Sequence, residues 1–214
     1  MARWRLVMSL SSVQRPCRAA AAFCTASPLP PAPEQFILQP GQTHPAIIAP
    51  ESLMRDCEVR HTKGSGPGGQ HRNKVQTAVV VTHTPTSLVG SASESRSQQS
   101  NLGKAVFRLR MRLALKCRTS TASDANDVSE PSALWTSRSR SGKISVNENH
   151  ADYPAVLAEA LDSIWETRDV KASAASLGVS TSSMVKLLAK EPLALTQVNA
   201  LRASIGLPAL RSNK

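Results

Sequence analysis

Alternating polar and apolar positions in the middle of the chain predict a small sheet. The segment Asn73–Thr84 is rich in β-branched residues that alternate between two faces, which predicts a strand. Pro85–Ser87 predicts a turn, and Leu88–Ala92 predicts a second strand. Ahead of them, Leu53–His61 predicts a helical turn that runs into a further strand.

The period then changes to that of a helix between Asn101 and Cys117. Apolar residues recur there at three- and four-residue spacing: Leu102, Ala105, Val106, Leu109, Leu113 and Ala114. Basic residues line much of the remaining surface: Lys104, Arg108, Arg110, Arg112 and Lys116. The pattern predicts a helix with one face for a core and another for phosphate groups.

The C-terminal part has helical periodicity from about residue 134, after a stretch of small and acidic residues (119–133) that is typical of a linker. An apolar stripe from Val156 to Trp165 predicts one helix. A shorter helix ends at Gly178, and Ser180 is a candidate N-cap for the next. We therefore expect residues 134–214 to form an all-α helical module with a helix-turn-helix-like pair. Together with the sheet, this predicts an α+β protein.

The first 33 residues differ in composition from the rest. They contain four arginines, many Ser and Ala residues, and no acid before Glu34. This composition is typical of an organelle transit peptide, with a mitochondrion as the first choice and a plastid as the alternative. A disordered tail is the other interpretation. Residues 34–52, which begin rich in proline, are expected to be a linker.

Charge is concentrated in the middle of the chain. The net charge is +11 over 214 residues, and residues 60–118 carry eleven Lys and Arg side chains against one acid, Glu94. A block with one sign favours a polyanionic partner, most simply a nucleic acid, over a generic basic surface. No apolar run is long enough to predict a membrane span.

Cysteine usage predicts neither a metal site nor disulfides. The four cysteines lie far apart and form no C-x-x-C pair, which fits a reducing compartment: Cys17, Cys24, Cys57 and Cys117. We expect no cofactor. Three histidines lie close to the central strands, and we expect them to contact RNA or to sit in turns: His61, His71 and His83.

The stretch SGPGGQHRNK, Ser65–Lys74, carries the most specific chemistry. Consecutive glycines leave backbone N–H groups accessible, and these can bind an anion or a developing oxyanion. Pro67 would stiffen such a loop. A flexible turn between strands is the alternative, whereas the spacing of a P-loop or of a dinucleotide-binding loop is absent.

Residues 53–118 resemble the catalytic domain of class I peptide chain release factors. The resemblance includes the Gly-Gly-Gln core, the Asn-Lys pair, the His-x-Pro-Thr turn, the Arg-Ser-Gln-x-x-Asn stretch and the basic helix, in the family's order. It implies a small α/β domain that hydrolyses the ester between a nascent peptide and tRNA in the large ribosomal subunit.

The resemblance also implies residue roles. Gly68, Gly69 and Gln70 would be the catalytic tip, with the Gln70 backbone N–H stabilising the tetrahedral intermediate and its side chain a candidate for N-methylation. Gly64, Gly66 and Pro67 would shape the loop. The expected partners are large-subunit rRNA and peptidyl-tRNA, with no membrane and a monomeric chain. Expected RNA contacts are Arg72, Asn73, Lys74, Arg96, Lys104, Arg108 and Arg112.

One departure from the family narrows this expectation. No Pro-x-Thr or Ser-Pro-Phe type reading motif precedes the loop, so we expect release without stop-codon recognition, as in ribosome rescue. Two alternatives stay open. One is a non-catalytic ribosome-associated or rRNA-binding protein, and the other is a DNA-binding regulator that uses the helix-turn-helix.

Overall fold

A three-stranded antiparallel sheet covered by one long helix is followed by a group of shorter helices. The computed structural model describes residues 36–39, 42–64, 74–119 and 131–211. The strands in these ranges are β1 (Phe36–Leu38), β2 (Cys57–Thr62), β3 (Ala78–His83), β4 (Leu88–Ala92), β5 (Cys117–Thr119), β6 (Ser139–Arg140) and β7 (Lys143–Ile144). The helices are α1 (Pro50–Leu53), a 3₁₀ turn (Met54–Asp56), α2 (Gln98–Lys116), α3 (Ala133–Arg138), α4 (Tyr153–Thr167), α5 (Val170–Ser176), α6 (Thr181–Ala189) and α7 (Pro192–Ser204).

The sheet has the order β2–β3–β4, with β3 in the centre. Thr62 pairs with Ala78 at one end of β2–β3, and Cys57 pairs with His83 at the other. Val79 and Val81 are fully buried because they face α2, as the alternation in the sequence predicts. The predicted turn at 85–87 joins β3 to β4, and Ser87 adopts a left-handed conformation there with φ of 55°.

Helix α2 lies very close to strand β4 at Gly90. A β-carbon at this position would lie 2.2 Å from the carbonyl oxygen of Ala105 and 2.7 Å from the backbone nitrogen of Leu109. Glycine is therefore required by the distance between helix and strand, since any side chain would separate them.

Two hydrophobic cores meet along α2. The first contains the sheet residues together with Ala105, Leu109 and Leu113 of α2. The second contains Trp135 and the helices α4 to α7, and Leu115 near the end of α2 belongs to it. Ala158 of α4 packs into the first core. The long helix thus contributes to both cores, and α4 packs against it.

Arg110 is buried, so the expectation that it lines the cationic surface of the helix is wrong. Its guanidinium donates hydrogen bonds to the carbonyl oxygens of Ala46 and Ala151, each at 2.8 Å. Both carbonyls belong to segments outside the helix, and burial lowers the pKa of the arginine. Arg110 therefore holds the segments that contain Ala46 and Ala151 against α2, and its guanidinium is not exposed on the cationic surface.

His44 joins the segment ahead of α1 to the end of α2. Its Nε2 lies 3.2 Å from the carbonyl oxygen of Cys117, and its Nδ1 accepts a hydrogen bond from the backbone N–H of Ala46 at 3.0 Å. These two bonds require the neutral tautomer with the proton on Nε2. Burial lowers the pKa of His44 from 6.5 to about 4, and the nearby charge of Arg118 acts in the same direction.

A second buried polar group ties β5 to the C-terminal helices. The Arg118 guanidinium donates to the carbonyl oxygens of Ala114 and Leu115 and to Oε1 of Gln197 in α7. It also lies 5.5 Å from the ring centre of Trp165. Burial raises the pKa of the neighbouring Asp162 to about 6, although the hydrogen bond from Thr119 and the charge of Arg118 oppose that rise.

The α+β class predicted from the sequence is confirmed, since the structure combines helices with a small antiparallel sheet. The strand predicted at Leu88–Ala92 has the expected bounds, and the N-cap predicted at Ser180 accepts a hydrogen bond from the Ser183 N–H. Residues 134–214 were expected to be all-α, but they also contain the β6–β7 hairpin. The parallel pairing of β1 with β5 was not predicted from the sequence either. None of the described helices is long and apolar enough to cross a membrane.

The contact at Gly90 predicts opposite effects for two alanine substitutions. Gly90→Ala should lower the free energy of unfolding by about 3 kcal/mol, because the new β-carbon overlaps helix backbone that cannot move independently. Gly103→Ala in α2 is the matched control, since a β-carbon there meets nothing within 4 Å. It should stabilise the protein by up to about 1 kcal/mol through helix propensity. Urea unfolding measures both, and equal effects would contradict the close contact.

His44 predicts a specific pH dependence of stability. A histidine with a depressed pKa stabilises the fold while it is neutral, and this contribution is lost as the pH falls from about 6.5 to about 4. The loss should be about 3 kcal/mol at the acid end. His44→Gln should unfold at lower urea concentration at neutral pH and lose less stability on acidification.

The raised pKa of Asp162 acts in the opposite direction, because protonating a buried carboxyl favours the folded state as the pH falls through 6. The test is therefore the difference between wild type and His44→Gln across the acid range, in which the contribution of Asp162 cancels. Parallel pH curves for the two proteins would show that His44 does not titrate on unfolding.

Candidate functional site

The connection between β2 and β3 contains the predicted catalytic sequence. Residues 63–77 join Thr62 to Ala78, which are paired partners at the end of the hairpin. The predicted catalytic residues Gly68, Gly69 and Gln70 lie outside the described residues. Five other residues with predicted roles lie there too: Gly66, Pro67, His71, Arg72 and Asn73. Gly64 is described and buried at the point where the chain leaves β2.

Asn101 holds the other end of this connection. Its side chain is fully buried, and its Nδ2 donates to the carbonyl oxygens of Thr77 at 2.7 Å and of Ser95 at 2.8 Å. Its Oδ1 accepts from the Ser95 N–H at 2.9 Å. One amide therefore joins three chain segments: the start of β3, the stretch before α2 and α2 itself. The two ends of the connection are fixed, one by strand pairing and one by this amide.

This arrangement places two of the predicted RNA-binding cations close to the base of the connection. Lys74 precedes Thr77 by three residues, and Arg96 follows Ser95 directly. Both side chains are exposed. Because Asn101 joins Thr77 to Ser95, the two cations belong to segments that meet at the same point.

From there, exposed basic residues continue along α2. They recur at every fourth position, which keeps them near one side of the helix: Lys104, Arg108, Arg112 and Lys116. At 1.5 Å per residue, the stripe is about 18 Å long. Arg110 lies between them in the sequence but is buried, so four cations form the exposed track.

Two of these arginines have structural contacts as well. Arg108 Nη1 donates to the carbonyl oxygen of Ser91 at 2.8 Å, and Arg112 Nη1 donates to the carbonyl oxygen of Val89. Both acceptors belong to β4, an edge strand, so the arginines satisfy part of its free edge. Each guanidinium has further N–H groups beyond the one used here.

Glu94, the acid of the basic block, neutralises part of the track. Its carboxylate lies 2.7 Å from Arg108 Nη1 and 3.7 Å from Lys104 Nζ. The hydrogen bond from Arg108 is the main cause of a lowered pKa for Glu94. These pairs are exposed, so their main effect is to orient the two cations.

The described histidines near the site do not form a catalytic pair. His83 is buried, and its Nδ1 lies 2.8 Å from Oγ1 of Thr86 within the His-x-Pro-Thr turn. Burial lowers its pKa. His61 is exposed on β2. Within the described ranges, no group of three or more His, Cys, Asp and Glu side chains is arranged to hold a metal.

Comparison with known proteins identifies the fold segment that carries this site. Residues 51–152 match the family model of the RF-1 domain. Residues of this chain are 39% identical to peptide chain release factor 1 of Albidiferax ferrireducens over 89 residues, which cover 42% of this chain and 24% of the relative. A chloroplastic peptide chain release factor of Arabidopsis thaliana is 30% identical over 117 residues, covering 54% of this chain and 24% of the relative.

The matched domain and these two relatives confirm the resemblance of the middle of the chain to class I peptide chain release factors that was seen in the sequence. The aligned segment spans about a quarter of the length of these two relatives. The matched segment continues beyond residue 118 and includes α3 and the β6–β7 hairpin.

Asn101 lies in the Arg-Ser-Gln-x-x-Asn stretch, but its role was not predicted from the sequence. Its position four residues after the N-cap Ser97 gave no sign that it would bond backward to Thr77. The contact between α2 and Gly90 was also missed, although a glycine inside a strand is itself a signal of close backbone approach.

Substitution of Asn101 should remove the hydrogen bond that holds Thr77, at the end of the β2–β3 connection, to helix α2. Asn101→Ala leaves two carbonyl oxygens and one N–H without partners, so the free energy of unfolding should fall by about 2–4 kcal/mol. Urea unfolding measures this loss, and the exposed Asn149→Ala is the control, which should be as stable as the wild type. Equal stability of the two variants would contradict the role of Asn101 at the base of the connection.

Proposed function

We propose that this protein hydrolyses the ester between a nascent peptide and tRNA on the large ribosomal subunit, without reading a stop codon. In this role it would rescue stalled ribosomes. Gly68, Gly69 and Gln70 would enter the peptidyl-transferase centre, and ribosomal RNA would form most of the surrounding site. The protein would act as a monomer and would require no cofactor.

The chemistry proposed for the loop is acyl transfer to water. Water attacks the ester carbonyl carbon, the bond to the tRNA 3′ oxygen breaks, and that oxygen leaves with a proton. The backbone N–H of Gln70 would donate a hydrogen bond to the charge that develops on oxygen. The Gln70 side chain would admit water and exclude larger nucleophiles. The contribution is therefore positioning and electrostatic stabilisation, with no side-chain nucleophile.

The observation that carries the proposal is the position of Gly-Gly-Gln inside a matched RF-1 domain. The β2–β3 connection that contains this tripeptide is fixed at its ends by the pairing of Thr62 with Ala78 and by the hydrogen bond from Asn101 to Thr77. The cationic track of α2 begins beside this connection. Arg72, Asn73, Lys74, Arg96, Lys104, Arg108 and Arg112 would contact rRNA or tRNA, which would make binding sensitive to salt.

Two further features of the proposal concern codon reading and location. Release without codon recognition is part of this proposal and is tested below with ribosomes that differ in their A-site codon. The arginine-rich, acid-free residues 1–33 support import into an organelle, and one relative is chloroplastic. We propose the mitochondrion, with the plastid as the alternative. Fluorescent tagging at the C-terminus would distinguish the two.

Substitutions in the loop test the proposed hydrolysis. Gly69→Ala should lower the rate of peptide release from stalled organellar ribosomes by about 10²–10³-fold, because a side chain there displaces the Gln70 N–H. Gln70→Ala keeps that N–H, so it should retain more activity and accept hydroxylamine in place of water. Gln76→Ala, at an exposed position of the same connection, should behave as wild type.

Ribosomes with a stop codon, a sense codon or no mRNA in the A site should be compared in the same assay. Equal or greater release without a stop codon is expected. Release that depends on a stop codon would contradict the codon-independent part of the proposal. Unchanged release by Gly69→Ala and Gln70→Ala would instead favour a non-catalytic ribosome-associated protein.

A further inference from the structure

The β6–β7 hairpin is joined by two residues with positive φ, Ser141 at 50° and Gly142 at 72°. This is the geometry of a type I′ turn, which fixes the register of the short strands. Arg140 is consequently directly opposite Lys143. Cross-strand partners of this kind have side chains on the same face, with β-carbons about 5 Å apart.

Two like charges at opposed positions of a hairpin repel each other. Both side chains are exposed, and among the described residues neither has a carboxylate at ion-pair distance. The arrangement therefore does not stabilise the hairpin. A polyanion bound against that face would offset the repulsion between Arg140 and Lys143.

The hairpin is held against the second helix of the helix-turn-helix-like pair. The Ser180 N–H donates to the Gly142 carbonyl oxygen at 2.8 Å, and the Ile144 N–H donates to Ser183 Oγ at 2.8 Å. Lys190, two turns beyond Ser183 in the sequence, donates to the Val146 carbonyl oxygen. The chain from Gly142 to Val146 thus runs along α6, and the exposed Lys186 lies between the two contact points on the same side of the helix.

The acids of this part of the protein mostly have structural partners. Glu159 accepts from Ser132, Asp162 accepts from Thr119, and Asp169 caps α5. Glu191 caps α7, and Asp152 pairs with Arg138. Glu148 is exposed. Within the hairpin and α6 themselves, residues 139–144 and 181–189, the charged side chains are Arg140, Lys143 and Lys186, and none is acidic.

We propose that the β6–β7 hairpin and α6 form a second RNA-binding surface, separate from the basic face of α2, with Arg140, Lys143 and Lys186 contacting backbone phosphates. A hairpin packed beside a helix-turn-helix offers two elements that can follow a phosphate backbone. The positions of these cations indicate a phosphate-binding surface, and only the choice of RNA over DNA rests on the proposed function.

The test compares two charge-matched double variants of the full chain. Arg140→Ala/Lys143→Ala should weaken binding of a fluorescein-labelled oligouridylate about tenfold, measured by anisotropy. It should also reduce the slope of log affinity against log salt by about 1.4, since each lost phosphate contact on a single strand contributes about 0.7. Lys171→Ala/Arg211→Ala removes two exposed cations from other parts of the same region and should have little effect. Lys186→Ala should weaken binding further.

The thermal midpoint of the hairpin variant should be unchanged or higher, because its substitutions remove a repulsion. Equal loss of affinity in both double variants would show a general effect of net charge and would overturn the proposal. Two other results would also overturn it: tighter, hairpin-dependent binding of duplex DNA, or hairpin-dependent binding of polyglutamate with oligouridylate binding unchanged. Peptide release is not the readout, so failure of the proposed hydrolysis would leave this result interpretable.

Discussion

The close contact between α2 and strand β4 determines much of what this molecule presents to a partner. Gly90 allows helix backbone to rest almost directly on strand backbone. At this separation the arginines of the helix reach the carbonyl oxygens of Val89 and Ser91 along the edge of β4. The same separation brings Asn101 within hydrogen-bonding distance of Thr77. The cationic track and the base of the candidate catalytic connection are thus positioned by one packing interaction.

Helix α2 also mechanically connects the two hydrophobic cores. Its first turns pack on the sheet, and Leu115 enters the core formed by the C-terminal helices. Arg118, just beyond the helix, reaches Gln197 of α7 and lies against Trp165. Residues 131–211 are therefore attached to the helix that carries the cationic track.

Sequence reasoning predicted elements whose periodicity is local. The strand at Leu88–Ala92, the basic helix and the N-cap at Ser180 each depend on neighbours within a few residues. Contacts between distant segments were not predictable in this way. Arg110 has the spacing of a surface residue, yet it is buried because the carbonyls of Ala46 and Ala151 meet it there. The β6–β7 hairpin has only two residues in each strand, too few for alternation to be recognised, although the Ser-Gly pair is a turn signal. Of the candidate site, the sequence predicted the exposed cations, whereas the amide that fixes its base became apparent only in three dimensions.

The paired ends of the connection between β2 and β3 set a maximum working distance. Gln70 is eight residues from Thr62 and eight from Ala78, so it stands at the midpoint of a tether attached at both ends. A fully extended chain of that length spans about 26–29 Å. The end of the sheet must therefore lie within that distance of any group that Gln70 contacts. A partner that contacts Gln70 must therefore also have room for the end of the sheet and the cationic track of α2 within that distance.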